Sequence, residues 1–294
     1  MVDLKEIKSV KLTPFTRMSS VIYGILGLIG ALVMLMGLTI VQVAGVFQLG
    51  QFNLLTGIGV PMIILLPIGA FFSTIVVSFF SAMLYNALVP RLGGVKLQLD
   101  GKEVEQIPVV SFALILSAIG AVWAFVIGLV LAAVMSPLIS LIGALATMPG
   151  ASNITANLTS GAALPTGAQV GTAGLVVALV LIIGLPIMAF VFGFIWNALF
   201  AVFYNYLVAR VAKIQLEFNQ ITENLHELKQ IPVLPTALAV ALVFAILGLI
   251  SGILSGNFGE FISNFIIYFI ETALIAILYN YLAPKIGSIK LNLD

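Results

Sequence analysis

Tyr85-Asn86-Ala87-Leu88, followed by Gly94-Val95-Lys96-Leu97-Gln98-Leu99, has two relatives further along the same chain. One is Tyr204-Asn205-Tyr206-Leu207 with Ile214-Gln215-Leu216-Glu217-Phe218; the other is Tyr279-Asn280-Tyr281-Leu282 with Ile289-Lys290-Leu291-Asn292-Leu293. Each second segment begins ten positions after its tyrosine (85 to 95, 204 to 214, 279 to 289). Its apolar residues alternate with polar ones, the period of a half-buried strand. Val95, Leu97 and Leu99 share one face, Lys96 and Gln98 the other. Internal repetition of this kind implies one supersecondary unit copied in tandem, with a core shared between neighbours.

The stretches between these copies are apolar. The chain is 62% hydrophobic and 8% charged, against roughly 25% charged in globular proteins. So few charges cannot cover a water-facing surface, so the chain needs lipid as its solvent. Six apolar runs, at about 18–47, 57–90, 109–135, 169–209, 233–255 and 259–283, each reach the roughly 20 residues that cross a bilayer. The first is too long for a signal-peptide core and reads as a retained membrane helix. The expected fold is an all-α polytopic membrane protein. Three two-helix repeats span residues 1–101, 102–219 and 220–294, with short strands gathered into a small cytoplasmic sheet.

The segments leading into each repeat also match. Glu103-Val-Glu-Gln-Ile-Pro-Val109 parallels Glu227-Leu-Lys-Gln-Ile-Pro-Val233, with a degenerate form in Val10-Lys11-Leu12-Thr13-Pro14. Aligned on Pro14, Pro108 and Pro232, small residues recur at +13 (Gly27, Ala121, Ala245) and +16 (Gly30, Ala124, Gly248). Pro67 and Pro186 each lie 19 residues before their Tyr-Asn asparagine (67 to 86, 186 to 205), where a helix-interior proline predicts a kink; Phe261 stands there in the third copy. Asp100-Gly101 predicts a tight hairpin between the first two repeats. The second join, 219–227, is longer.

All twelve Lys and Arg residues fall before helix one, between helices two and three, between four and five, or after six. Basic residues near membrane helices stay cytoplasmic, which predicts both termini and every strand inside, in a multi-pass cell-membrane protein. The long outer loop, about 136–168, carries no charge and two glycosylation acceptors, Asn153 and Asn157. That pattern suits an archaeal or eukaryotic source.

Few side chains suggest chemistry. Glu271 lies mid-helix, eight residues before Tyr279. An ionisable group within a span is by default a functional candidate, here a proton or cation site. The alternative is a neutral carboxyl bonded across helices, for instance to Asn197. Asn86, Asn205 and Asn280 either line an inner ring or cap and crosslink helices beside interface-anchoring tyrosines. Small residues at four-residue spacing, Gly120-Ala124-Gly128-Ala132 and Gly248-Gly252-Gly256, permit close helix contact. His226, the single histidine, lies in a polar connector and lacks the partners a metal needs. No cysteine, histidine pair or phosphate-binding glycine loop is present, so no enzyme, metal or cofactor is expected. The basic segments are interleaved with Glu and Asp, which argues against nucleic acid. The expected partners are the bilayer and either a second copy or other membrane proteins. The expected function is a non-enzymatic scaffold or assembly subunit; the alternative is a channel or transporter with Glu271 in the path.

Leu84-Tyr85-Asn86 followed by Gly93-Gly94-Val95-Lys96-Leu97, after a basic leading strand, resembles a family of small two-helix membrane domains of unknown function in archaea and actinobacteria. Residues 5–99 carry the resemblance best. The later copies keep Tyr-Asn and the strand but have Val211-Ala212 and Ile286-Gly287 in place of the two glycines. The resemblance implies a membrane fold and no assigned activity.

Overall fold

The computed structural model describes residues 3–44, 55–146 and 174–294. The elements, in order, are β1 (Asp3–Val10), α1 (Leu12–Val43), α2 (Val60–Leu92), β2 (Lys96–Asp100), β3 (Glu103–Gln106), α3 (Val109–Ala146), α4 (Leu185–Tyr206), β4 (Glu217–Gln220), β5 (Leu225–Gln230), α5 (Val233–Ser255), α6 (Gly259–Ile286) and β6 (Lys290–Leu293). Among the described residues, six helices are long and apolar enough to cross a membrane, the fourth spanning Gly174–Arg210. Their outward residues are apolar too: Ile40 is 68% exposed, Ile64 62% and Leu254 84%. Such faces are stable only against lipid or another apolar surface.

The described chain divides into two compact units, Met1–Ile115 with Ala198–Asp294, and Leu116–Asn197. The first holds every strand. The sheet is antiparallel with order β3-β2-β1-β6-β5-β4. Its two edges meet as well. Val104 N–H donates to the Ile214 carbonyl (2.9 Å), Leu216 N–H donates to the Lys102 carbonyl (2.8 Å), and Glu103 bridges Gln215. The six strands therefore close into a ring, which leaves no unpaired edge.

The pairing is the same at three places. Leu99 faces Val104, Phe218 faces Leu228 and Leu293 faces Ile7, and each pair lies next to a β-bulge. Bulges are common at barrel rims, where they bend a strand. Leu97, Leu99, Val104, Leu228, Leu291 and Leu293 are buried, so one face of β2, β3, β5 and β6 forms a filled core. That core continues into α5 through Val243 and Leu247. A second cluster joins Leu228 to Met18 and Ile22 of α1 and Leu282 of α6.

Several details depart from the sequence reading. Asp100 pairs with Glu103, so the hairpin loop is Gly101-Lys102, with Gly101 at φ +60°. Its glycine takes the first loop position, where primed turns need positive φ. One residue separates Val10 from the first residue of α1, as one separates Ile107 from α3 and Ile231 from α5. Lys11, not Pro14, therefore matches Pro108 and Pro232. The small residues at +16 become Gly27, Ala124 and Gly248. Both glycines sit against backbone: a Cβ on Gly27 would lie 2.9 Å from the Leu66 carbonyl, and one on Gly248 2.7 Å from that of Glu260. Leu66 and Glu260 each precede their Tyr-Asn asparagine by 20 residues (66 to 86, 260 to 280), so α1–α2 and α5–α6 pack in one register. Counted from tyrosine, the residues matching Gly93-Gly94 are Ala212-Lys213 and Gly287-Ser288.

α2 is one continuous helix with Pro67 inside it. In the second unit, a π turn at Val180–Gly184 immediately precedes Leu185-Pro186, a wider turn where proline removes a helix bond. Gly128 faces the Leu181 carbonyl there, too close for any side chain. α3 extends to Ala146 with Pro137 inside, so the first part of the expected outer loop is helical.

Because the chain lacks cysteine, ring closure is directly measurable. Glu103→Cys with Gln215→Cys should form a disulfide on mild oxidation, since paired antiparallel residues lie within bridging distance. A faster non-reducing gel band and a crosslinked peptide are the expected readouts. Persistence of two free thiols would mean the ring is open.

Candidate functional site: the tyrosine–asparagine junctions

The Tyr-Asn pairs of α2, α4 and α6 project both side chains onto β1, β3 and β5 respectively, or onto the residue that follows the strand. The Tyr85 hydroxyl donates to the Ile7 carbonyl (2.6 Å) and accepts the Val95 N–H (2.9 Å). Tyr204 does the same to Val104 (2.5 Å) and Ile214 (3.0 Å). Tyr279 donates to Leu228 and accepts from Ile289 at 3.2 Å. The opposite bonds are direct: Ile7 N–H to Val95, Val104 N–H to Ile214 and Leu228 N–H to Ile289, each 2.9 Å. In an ordinary antiparallel pair the two residues exchange two backbone bonds. Here one of the two is relayed through a phenol oxygen, so the strands open just enough to admit a helix side chain.

Three residues further on, the asparagine closes a second link. Asn86 Oδ1 accepts Val10 N–H and its Nδ2 donates to the Val10 carbonyl, both at 2.8 Å. Asn205 treats Ile107 identically, and Asn280 Ile231, at the same 2.8 Å. A carboxamide carries one donor edge and one acceptor edge, so it substitutes for a neighbouring strand residue where the ladder ends and the helix begins. Tyr204 and Tyr279 are almost fully buried. Their hydroxyls and the backbone groups they serve are therefore all satisfied, as buried polar groups must be.

The polar neighbours differ between copies. Gly94 abuts the Ile7 carbonyl and the Tyr85 oxygen so closely that a side chain would collide. Its N–H donates to Glu6 Oε1 at 2.7 Å. That backbone bond, with Lys8 assisting, holds the Glu6 carboxyl below its ordinary range. Lys213 follows in the second copy, bonded to Glu103 (3.0 Å) and to Glu105. The two carboxylates push its ammonium pKa upward. Gln215 is held by Thr236, whose hydroxyl accepts its N–H and donates to its carbonyl, both at 3.1 Å.

The remaining candidates stand apart from these junctions. Glu271 is half-buried on α6 and interacts electrostatically with Tyr23 of α1. Among the described residues it makes no hydrogen bond or ion pair. His226 lies on β5 opposite Leu291, in the strand ring rather than in a loop. It borders a cavity of about 640 Å³ at the far mouth of the ring, with Lys5, Lys102 and Phe218. Asn153 and Asn157 lie outside the described residues. No group of three His, Cys, Asp or Glu residues is arranged to hold a metal among the described residues. Sequence reading singled out the asparagines but gave the tyrosines only an interface role. The constant ten-residue step from tyrosine to strand was the available signal for the hydroxyl bond.

Removing one hydroxyl tests the relay. Tyr204→Phe leaves the Ile214 N–H and Val104 carbonyl without their partner, at a cost of about 1–3 kcal/mol for each buried group left unsatisfied. The melting temperature in detergent should fall, while Tyr206→Phe, at a position 64% exposed, should leave it unchanged. Equal melting of both variants would remove the tyrosine from the junction's stability.

Comparison with known proteins yields no match: no family model, no curated protein and no solved structure is similar to this chain.

Proposed function

We propose that this chain is a non-enzymatic membrane scaffold or assembly subunit built from three tandem copies of one two-helix unit. The copies surround a pseudo-threefold axis, with the strand ring and both termini on the cytoplasmic face of the cell membrane. One observation carries this reading: the tyrosine and asparagine side chains repeated at the helix ends are all committed to backbone. Every Tyr-Asn pair is bonded at both residues to a strand or to the residue that follows it, which leaves neither side chain of the pair for a substrate. The apolar side chains filling the ring also oppose an open axial path. What is left for partners is the charged outer face of the ring and the apolar helix faces. The distribution of Lys and Arg supports the inside orientation.

Chemical crosslinking in native membranes and native mass spectrometry after mild extraction test this function. Self-association or a stoichiometric membrane partner is expected. A free monomer with no companion in both experiments would overturn the reading.

Glu271 supports a second reading, a channel or secondary transporter. A carboxyl within a span that makes no bond, beside Tyr23, is unlike the bonded polar groups elsewhere. The three asparagine amides are already engaged, so this reading rests on Glu271 alone. It expects Glu271→Gln to change ion or proton flux in proteoliposomes; flux equal to that of protein-free vesicles discards it.

A further inference from the structure

The three places where one strand pair passes to the next are alike in backbone but not in charge. At the β1–β6 seam, Lys11 N–H donates to the Lys290 carbonyl at 3.0 Å. The matching residues are Lys96 with Pro108 at the β2–β3 seam, and Gln215 with Pro232 at the β4–β5 seam. Proline has no N–H to give, and neither of those seams brings two cations together. Like charges opposite one another on paired strands are destabilising. Glu227 stands opposite Lys290 on β5, yet neither Lys11 nor Lys290 forms an ion pair among the described residues, whereas Lys5, Lys8, Lys102 and Lys213 do.

The two lysines open onto a cavity of about 520 Å³, lined also by Ser9, Thr13, Pro14 and Asn86, with no acidic residue on its wall. Its depth is informative. Thr13 and Pro14 belong to the first turn of the apolar span that starts at Leu12. The cavity therefore lies where the chain passes from water into apolar surroundings, the level of lipid headgroups. Basic pockets at this level recognise anionic headgroups.

We infer that Lys11 and Lys290 form a binding site for the phosphate of an anionic membrane lipid at the β1–β6 seam. The bound phosphate offsets the repulsion between the two ammonium groups and ties the two ends of the strand ring to the membrane surface. The inference rests on the membrane reading above but not on self-association.

The test is native mass spectrometry of the detergent-purified protein with equal amounts of phosphatidylglycerol and phosphatidylcholine. Wild type should retain phosphatidylglycerol selectively. Lys11→Gln with Lys290→Gln should lose that selectivity roughly thirtyfold, at the strength usual for two basic groups near an anionic surface. Lys11→Arg with Lys290→Arg should keep it, as should Lys5→Gln with Lys229→Gln at the far mouth of the ring. Formation of the 103–215 disulfide in the glutamine variant verifies that its ring still closes. Unchanged lipid retention in the glutamine variant overturns the inference. So does displacement of the lipid by an equal concentration of inorganic phosphate, which would mark a soluble-anion site instead. A monomer that still retains phosphatidylglycerol would count against the scaffold and leave the lipid site standing.

Discussion

A helix end has to be joined to a sheet without leaving backbone groups bare, and in this protein a phenol oxygen meets that constraint. Tyr85, Tyr204 and Tyr279 each stand between two strands and complete a bond the strands cannot make directly. The hydroxyl is suited to the position because it donates and accepts at once. Phenylalanine would fill the same volume and strand two polar groups. The asparagine beside it extends the principle by one step, presenting an amide edge to the residue where strand gives way to helix. Two adjacent side chains thus fix the offset, tilt and register between a membrane helix and a water-exposed ring.

The supports around these junctions are individual. Gly94 makes room for Tyr85 by having no side chain. In the second copy a lysine sits in the matching place and is held between two glutamates; in the third a serine does. Helix termination varies as well. Gly93 and Gly287 end α2 and α6 with positive φ, at +81° and +91°, whereas α4 finishes through a short 3₁₀ turn at Val208–Arg210. Closing the ring does not require identical copies; it requires that each copy satisfy the same backbone atoms.

Much of this was legible in the chain. The six apolar runs, the alternation in β2 and β6 and the Tyr-Asn spacing follow from period and composition, which report local preference directly. The asparagine's place at a helix end marked it as a bonding residue, but its partner, the backbone of Val10, Ile107 or Ile231 at a strand end, was not visible. Apart from the β2–β3 hairpin marked by Asp100-Gly101, the pairing partner of each strand was not visible, because hydrogen-bond register is a long-range choice and short strands carry little of it. Proline misled at the start of the first copy. Pro14 was taken as the counterpart of Pro108, yet Val10 occupies the position that Asn86 clamps, three residues earlier. Pro67, where the sequence predicts a kink, lies inside α2, which continues through it. Glu271 was conspicuous in sequence, and its proximity to Tyr23 depends on α1 and α6 meeting, which no spacing rule reveals.

The position of β6 has a consequence for biosynthesis. Of the described strands β1 leaves the ribosome before the others, and its neighbour β6 follows all of them. Until β6 arrives, β1 and β5 each expose a bare edge, the feature by which nascent chains pair wrongly with one another. Hydrogen bonds between Glu6 and Asp294 then shut the gap in one late step. All six long apolar helices lie between β1 and β6 in the chain, so the ring can close only after every one of them has been synthesised.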